Sequence, residues 1–202
     1  MQFDREKLKQ AVLYICNRCP ADKLGAVKLH KVLYFSDMVR YADTGRPVTG
    51  ATYRKRPHGP TCDSLPRAIS ELQNDSKLEV RDVEYFGYFK KEFRALSEPD
   101  IRVFTDDEVR LLEDVIEFVC VKNTAKTISD FSHARPWELV DFGEEIGYNS
   151  SFLLYPEEVS QEARDWADNQ VTEIAAERSS KNPLDFTDIA DFRSRVLEAS
   201  GG

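Results

Sequence analysis

A chain of 202 residues with 28 Lys and Arg, 36 Asp and Glu and 41% hydrophobic residues suits one ordinary core with an appendage and is too apolar to be disordered. Its net charge of −8 argues against general coating of nucleic acid. No run of 18 apolar residues occurs and the opening Met1-Gln2-Phe3-Asp4-Arg5-Glu6-Lys7 has no apolar signal region, so a cytoplasmic protein without a membrane span is expected.

The total charge hides an asymmetry. Lys and Arg against Asp and Glu number 12 to 5 over residues 1–61, 11 to 20 over 62–154 and 5 to 11 over 155–202. A local basic face can still meet phosphate or an acidic partner, although charge runs are commonly just solvated surface.

A first helix is expected from Asp4, whose carboxylate can cap it, to just before Pro20, with Leu8, Ala11, Val12 and Ile15 as its apolar stripe. After a loop containing Gly25, a central helix carries Lys28-Leu29-His30-Lys31-Val32-Leu33-Tyr34-Phe35. Leu29, Val32 and Leu33 recur at helical spacing, while Tyr34, Phe35, Met38 and Val39 spread the apolar surface around the cylinder, so this helix should be enclosed on several sides. Gly45 and Pro47 stop it. Residues 48–56 suit a short strand or extended segment, ending in Tyr53-Arg54-Lys55-Arg56 and the stiff turn Pro57-His58-Gly59-Pro60.

A third helix spans about residues 62–74, with Leu65, Ala68, Ile69 and Leu72 on one face. The strongest β signal follows, a hairpin from Leu78 to Phe86 and from Tyr88 to Leu96 around Gly87, which must pack on the helices and can be joined by the 48–56 segment. A fourth helix opens on the capping-box pair Thr105 and Glu108, with Val109, Leu112, Ile116 and Val119 buried. Thr124–His133 predicts a short helix capped at Thr124 or Thr127. Pro136 stands in the first turn of another, carrying Trp137, Leu139, Val140 and Phe142. Residues 155–202 read as an acidic helical extension with Val159, Ala163, Trp166, Val171 and Ile174 on one stripe, buried against the main domain, a second copy or a partner. The expected architecture is therefore α+β, mainly α-helical, with a 1–154 domain, a small antiparallel hairpin and a C-terminal helical extension.

Two stretches carry a family resemblance. The helix with Lys-Leu-x-Lys-x-Leu-Tyr-Phe, the Gly45-x-Pro47-Val48 turn, the Ala51-x-Tyr53 step and Gly59-Pro60 resemble the SocA-like antitoxins, the Panacea domain met in phage-associated proteins. Ser129-Asp130-Phe131-Ser132-His133 with Trp137 resembles that domain's later Ser-x-x-Ser-His-x-x-x-x-Trp element. Members often follow Gly-Pro with valine and another proline, where this chain has Thr61-Cys62. The resemblance covers most of residues 5–145 and implies the antitoxin half of a toxin–antitoxin pair, holding a toxic enzyme inactive by protein contact.

Catalytic chemistry finds little support in the residues. Only His30, His58 and His133 are available as imidazole bases. Adjacent Ser132 and His133 rarely make a nucleophile and base, and no glycine-framed nucleophile elbow, His-Glu-x-x-His or phosphate loop is present. Cys16-x-x-Cys19 would need two more zinc ligands from Cys62, His58 or Cys120, while Cys16 already belongs to the first helix's apolar stripe. The expectation is a non-enzyme with no cofactor and no metal.

For binding, the candidate partner contacts are Tyr53, Arg54, Lys55, Arg56 and His58 on the cationic turn, and Ser132, His133, Arg135 and Trp137 at the later helix joint, because arginine and aromatic side chains dominate interface hot spots. Tyr53 and Trp137 can equally be core. The partner expected is a cognate toxin from a neighbouring gene, with a homodimer as a further assembly, no membrane and no nucleic acid. The acidic later two-thirds would offer charge complementary to a cationic toxin. An adaptor presenting a toxin to a protease and a regulator binding nucleic acid through Arg54, Lys55 and Arg56 are the alternatives. Reversing those three charges together is expected to leave folding intact.

Overall fold

A computed structural model describes residues 2–85 and 87–154. The expected C-terminal extension, and with it the domain boundary at 154, lies outside the described residues.

Helix α1, Arg5–Arg18, starts where the capping rule places it. The Asp4 carboxylate accepts the Lys7 amide at 2.9 Å, meeting one of the N–H groups that a helix start leaves open. Leu8, Ala11, Val12 and Ile15 are fully buried. Helix α2, Ala26–Thr44, is the central element. Leu29, Val32, Leu33, Tyr34, Phe35 and Met38 are all buried, contributing on the order of 10 kcal/mol of transfer free energy before the entropy of ordering the chain. It ends at Gly45, whose φ of 70° fits a left-handed cap and whose N–H donates to the Tyr41 carbonyl.

The chain then builds a small sheet of its own. Strand β1, Tyr53–Arg54, pairs antiparallel with β2, Thr61–Cys62, with Tyr53 opposite Cys62. Thr61 and Cys62 are thus strand, and helix α3, Leu65–Asn74, begins later than the expected residue 62. On its other edge β1 meets residues 143–146: the Lys55 N–H donates to the Glu144 carbonyl at 3.0 Å and the Ile146 N–H to the Tyr53 carbonyl at 2.8 Å. The 48–56 segment therefore does not extend the hairpin. The turn at Pro57–Pro60 folds it back on its own continuation instead.

The hairpin forms as β3, Leu78–Tyr85, and β4, Tyr88–Ala95, with Tyr85 opposite Tyr88 and Val80 opposite Phe93. Leu78 and Phe93 enter the core, and β4 packs on α1 and α2. Helix α4, Asp106–Ile116, carries the full Thr105–Glu108 capping box and runs directly into a π-helical turn, Glu117–Lys122. Glu108 also binds the Lys7 ammonium at 2.7 Å, tying α4 to α1. Helix α5, Ala125–Phe131, opens on a second box in which Thr124 and Thr127 cap each other. Helix α6, Arg135–Glu138, has Pro136 in its first turn but lasts only one turn, leaving Leu139 and Phe142 exposed. A 3-10 turn, Tyr148–Leu154, returns to α2. The fold is mainly helical α+β with two small antiparallel sheets.

Candidate functional site: the joint between the cationic turn and α5–α6

Behind the candidate site stands a carboxylate that sequence reading did not single out. Asp37 is fully buried on α2 and accepts four hydrogen bonds: from the Thr49 N–H and hydroxyl, each at 2.6 Å, from the Tyr53 hydroxyl at 2.8 Å and from the Tyr148 hydroxyl at 3.1 Å. Burial raises its pKa, while the bonds from Thr49, Tyr53 and Tyr148 pull it back. This hub fixes β1 against α2 and locks the 3-10 turn to both. Tyr53 is consequently 0% exposed. The structure places it in the scaffold and offers no surface of it to a partner.

The second seam joins α2, the Pro57–Pro60 turn and α5. Lys31 is only 1% exposed, and its ammonium donates to the Pro60 carbonyl at 2.9 Å. Among the described residues no carboxylate pairs with it, and burial pushes its pKa down to about 7. His30 beside it accepts the Cys62 N–H on Nδ1 at 3.1 Å, an interior role, and burial together with Lys31 lowers its pKa to about 4. Gly59 sits where these parts converge, with φ of 87°. A Cβ there would lie 2.2 Å from Ser132 Oγ and 2.6 Å from Lys31 Nζ. Only glycine meets both the backbone and the space, so Gly59→Ala is expected to lower stability by about 2 kcal/mol or more, read as a fall in the urea midpoint. Ser132 is itself buried and donates to the Ser129 carbonyl at 2.7 Å.

The cationic run does not form one presented edge. Arg54 pairs with Asp63 at 2.5 Å and donates to the Gly143 carbonyl. Lys55 is 9% exposed, donates to the Val140 carbonyl at 2.8 Å and lies 4.1 Å above the Trp137 ring. Arg56 and His58 are exposed, and neither makes a side-chain hydrogen bond or ion pair among the described residues. The expectation that reversing all three charges leaves folding intact is therefore corrected: a glutamate at 55 would bury a charge beside carbonyl oxygens and ring faces.

The later residues do come together with this turn. His133 stacks on Trp137 with ring centroids 4.1 Å apart, Trp137 donates its indole N–H to the Arg56 carbonyl at 3.2 Å, and Phe142 meets Trp137 edge-on at 5.7 Å. Arg135 is exposed and loosely paired with Glu138 at 3.5 Å. Arg56, His58, His133, Arg135 and Trp137 thus surround one joint, while Tyr53, Arg54, Lys55 and Ser132 hold it from behind. Sequence reading missed the exposed apolar members, Leu139 at 58% and Phe142 at 66%. The signal available was the early stop of α6, since apolar residues beyond the last helical turn lose the face that would bury them.

The four cysteines are free and buried. The Cys19 thiol donates to the Pro20 carbonyl at 3.8 Å, and burial pushes the Cys16 pKa up to about 12. Among the described residues no group of three His, Cys, Asp or Glu side chains is placed to hold a metal ion.

Fold and joint together define a small helical scaffold, braced by two buried polar seams, that presents arginine, imidazole and aromatic groups on one joint. Residues 29–138, more than half of the chain, match the model of the family described as antitoxin SocA-like, Panacea domain, and the chain belongs to that family. The family suggests an antitoxin role, with a toxin as partner in general and a non-enzymatic, regulatory character. No curated protein and no solved structure matches the chain significantly. No helix among the described residues is long and apolar enough to cross a membrane.

Proposed function

We propose that this chain neutralises a cognate toxin by direct protein contact through the joint between the Arg56–His58 turn and α5–α6. The observation that carries the reading is the exposure of Leu139 and Phe142 in the stretch that follows Arg135, with Phe142 against the Trp137 ring whose indole meets the Arg56 carbonyl. Large apolar side chains gathered with arginines and a half-buried tryptophan have the composition of an interface centre, where aromatic anchors and Arg supply most of the binding energy. The acidic balance of residues 62–202 adds long-range attraction for a basic toxin.

Coexpression with the neighbouring reading frame tests this. The neighbour should arrest growth alone, be harmless with this chain and copurify with it. The double variant Arg56→Glu, Leu139→Glu alters two exposed side chains, so its melting temperature should stay within a few degrees of the wild type while the complex weakens by at least about tenfold. A variant that rescues growth and copurifies as well as the wild type would remove this joint from the interface.

A further inference from the structure

A cavity of about 320 Å³ opens beside the joint, between the Pro57-His58 turn and α5. We propose that it is a receptor for a carboxylate side chain of the bound protein partner. The inference rests on the direct-contact reading above and names the chemistry by which that contact is made specific.

Four of the five polar side chains around the cavity, His58, Lys126, Ser129 and His133, can donate a hydrogen bond. His58 and the Ser129 hydroxyl, both in its wall, make no side-chain hydrogen bond among the described residues. Lys126, also in the wall, is 90% exposed and stands 4.0 Å from Asp130, a separation at which an exposed pair holds its members weakly. His133 completes the polar wall, and its Nε2 is buried without a hydrogen-bond partner among the described residues. A buried polar atom left open in this way is an exception among native groups and points to a missing ligand or solvent partner.

The charge behind the wall has the same sign. Lys31 and Lys55 are both buried with carbonyl acceptors and, among the described residues, no carboxylate partner. Buried positive charge without a carboxylate partner focuses a positive potential into the nearest open space, and an entering anion both gains from it and favours the protonated form of Lys31. Among the described residues Asp130 is the one acid of the wall, and it is itself 64% exposed to solvent that screens it.

The remaining lining selects the kind of anion. Val27, Pro57 and Ala125 form an apolar side against which the methylene of an aspartate or glutamate can lie. No arginine among the described residues lines the cavity, and planar bidentate capture by arginine is what phosphate sites favour. The volume is at the lower end of the roughly 300–1,000 Å³ of small-ligand clefts, enough for one acidic side chain and part of its neighbour.

The test uses the full chain and needs no toxin. N-acetyl-aspartate methylamide is titrated while the imidazole resonances of His58 and His133 are followed by NMR, with N-acetyl-asparagine methylamide and inorganic phosphate as comparisons. The carboxylate should give saturable shifts, and the His133 pKa, which burial and Lys31 depress, should rise on saturation. The double variant His58→Gln, Lys126→Gln, both on the surface, should bind at least about tenfold more weakly, a loss of about 1.4 kcal/mol, with an unchanged circular dichroism spectrum. If the carboxylate gives no saturable shift, if the asparagine amide binds equally well, or if phosphate binds more tightly, the proposal is overturned. Such a failure leaves the direct-contact reading to stand or fall on copurification alone.

Discussion

Replacing Asp37 with alanine is expected to be the most damaging single substitution in the described chain, costing about 3–5 kcal/mol and visible as a collapse of the urea midpoint. The change removes the acceptor of the Thr49 N–H, the Thr49 hydroxyl and the Tyr53 and Tyr148 hydroxyls at once, in a site that holds no exposed atom of residue 37. Each donor left unmet inside costs its full desolvation penalty, and Tyr148 retains only the Ala51 carbonyl at 2.6 Å as a second acceptor. Asp37→Asn keeps the shape and one acceptor oxygen but sets an NH2 against donors, so it should cost less than alanine and still more than an exposed substitution. The pH dependence has a definite sign. The folded state holds the Asp37 proton more tightly than the unfolded chain, so this group's contribution to stability falls as pH rises from the ordinary aspartate value of 3.8 through the raised folded value. Denaturation curves of the asparagine variant across the acid range should lack that component. If alanine at 37 melts with the wild type, the hub is not what holds β1 to α2.

The second seam concerns the same helix and shows where sequence reading succeeded and where it stopped. The ends of α2 and the caps at Asp4, Thr105 and Thr124 follow from short-range rules, because glycine, aspartate and threonine act on groups within three or four residues. The hairpin was legible for the same reason: its partners flank one glycine. The pairing of β1 with residues 143–146 was not, since Gly143-Glu144-Glu145-Ile146 has little strand propensity and is brought there by long-range packing. The cationic run was misleading as a unit. Three adjacent cations in sequence point different ways in an extended segment, so one meets Asp63, one dives under Trp137 and one stays in water. The candidate joint was half legible: the motif residues Ser132, His133 and Trp137 cluster as the pattern suggested, but which of them face outward depends on how far α6 runs.

Lysines are almost never fully buried without a partner, and Lys31 is 1% exposed. The clue lay in the neighbours, because a helix apolar on several sides leaves a lysine in its middle no wet face. Lys31→Met should therefore stabilise the protein at pH 7, by about 1–4 kcal/mol, the range found when a buried ionic group gives way to an apolar side chain of similar volume. The sign of the pH effect follows from the lowered pKa. Between about 7 in the folded state and the ordinary 10.5 of an unfolded lysine, the unfolded chain binds more protons, so wild-type stability contributed by this group rises with pH across that window and is flat below it. The methionine variant should lose that slope, and the two denaturation midpoints should converge as pH approaches 10. His30 titrates in a separate window, from 6.5 in the unfolded chain down to about 4, so it does not mimic the effect. The substitution also removes a cation from behind the carboxylate receptor, and the same variant should bind the aspartate probe more weakly than the wild type. Greater stability with weaker binding is the behaviour of a residue retained for its charge at the cost of the fold. Equal midpoints at pH 7, or a surviving slope between 7 and 10, would show instead that the Pro60 carbonyl already satisfies the buried ammonium.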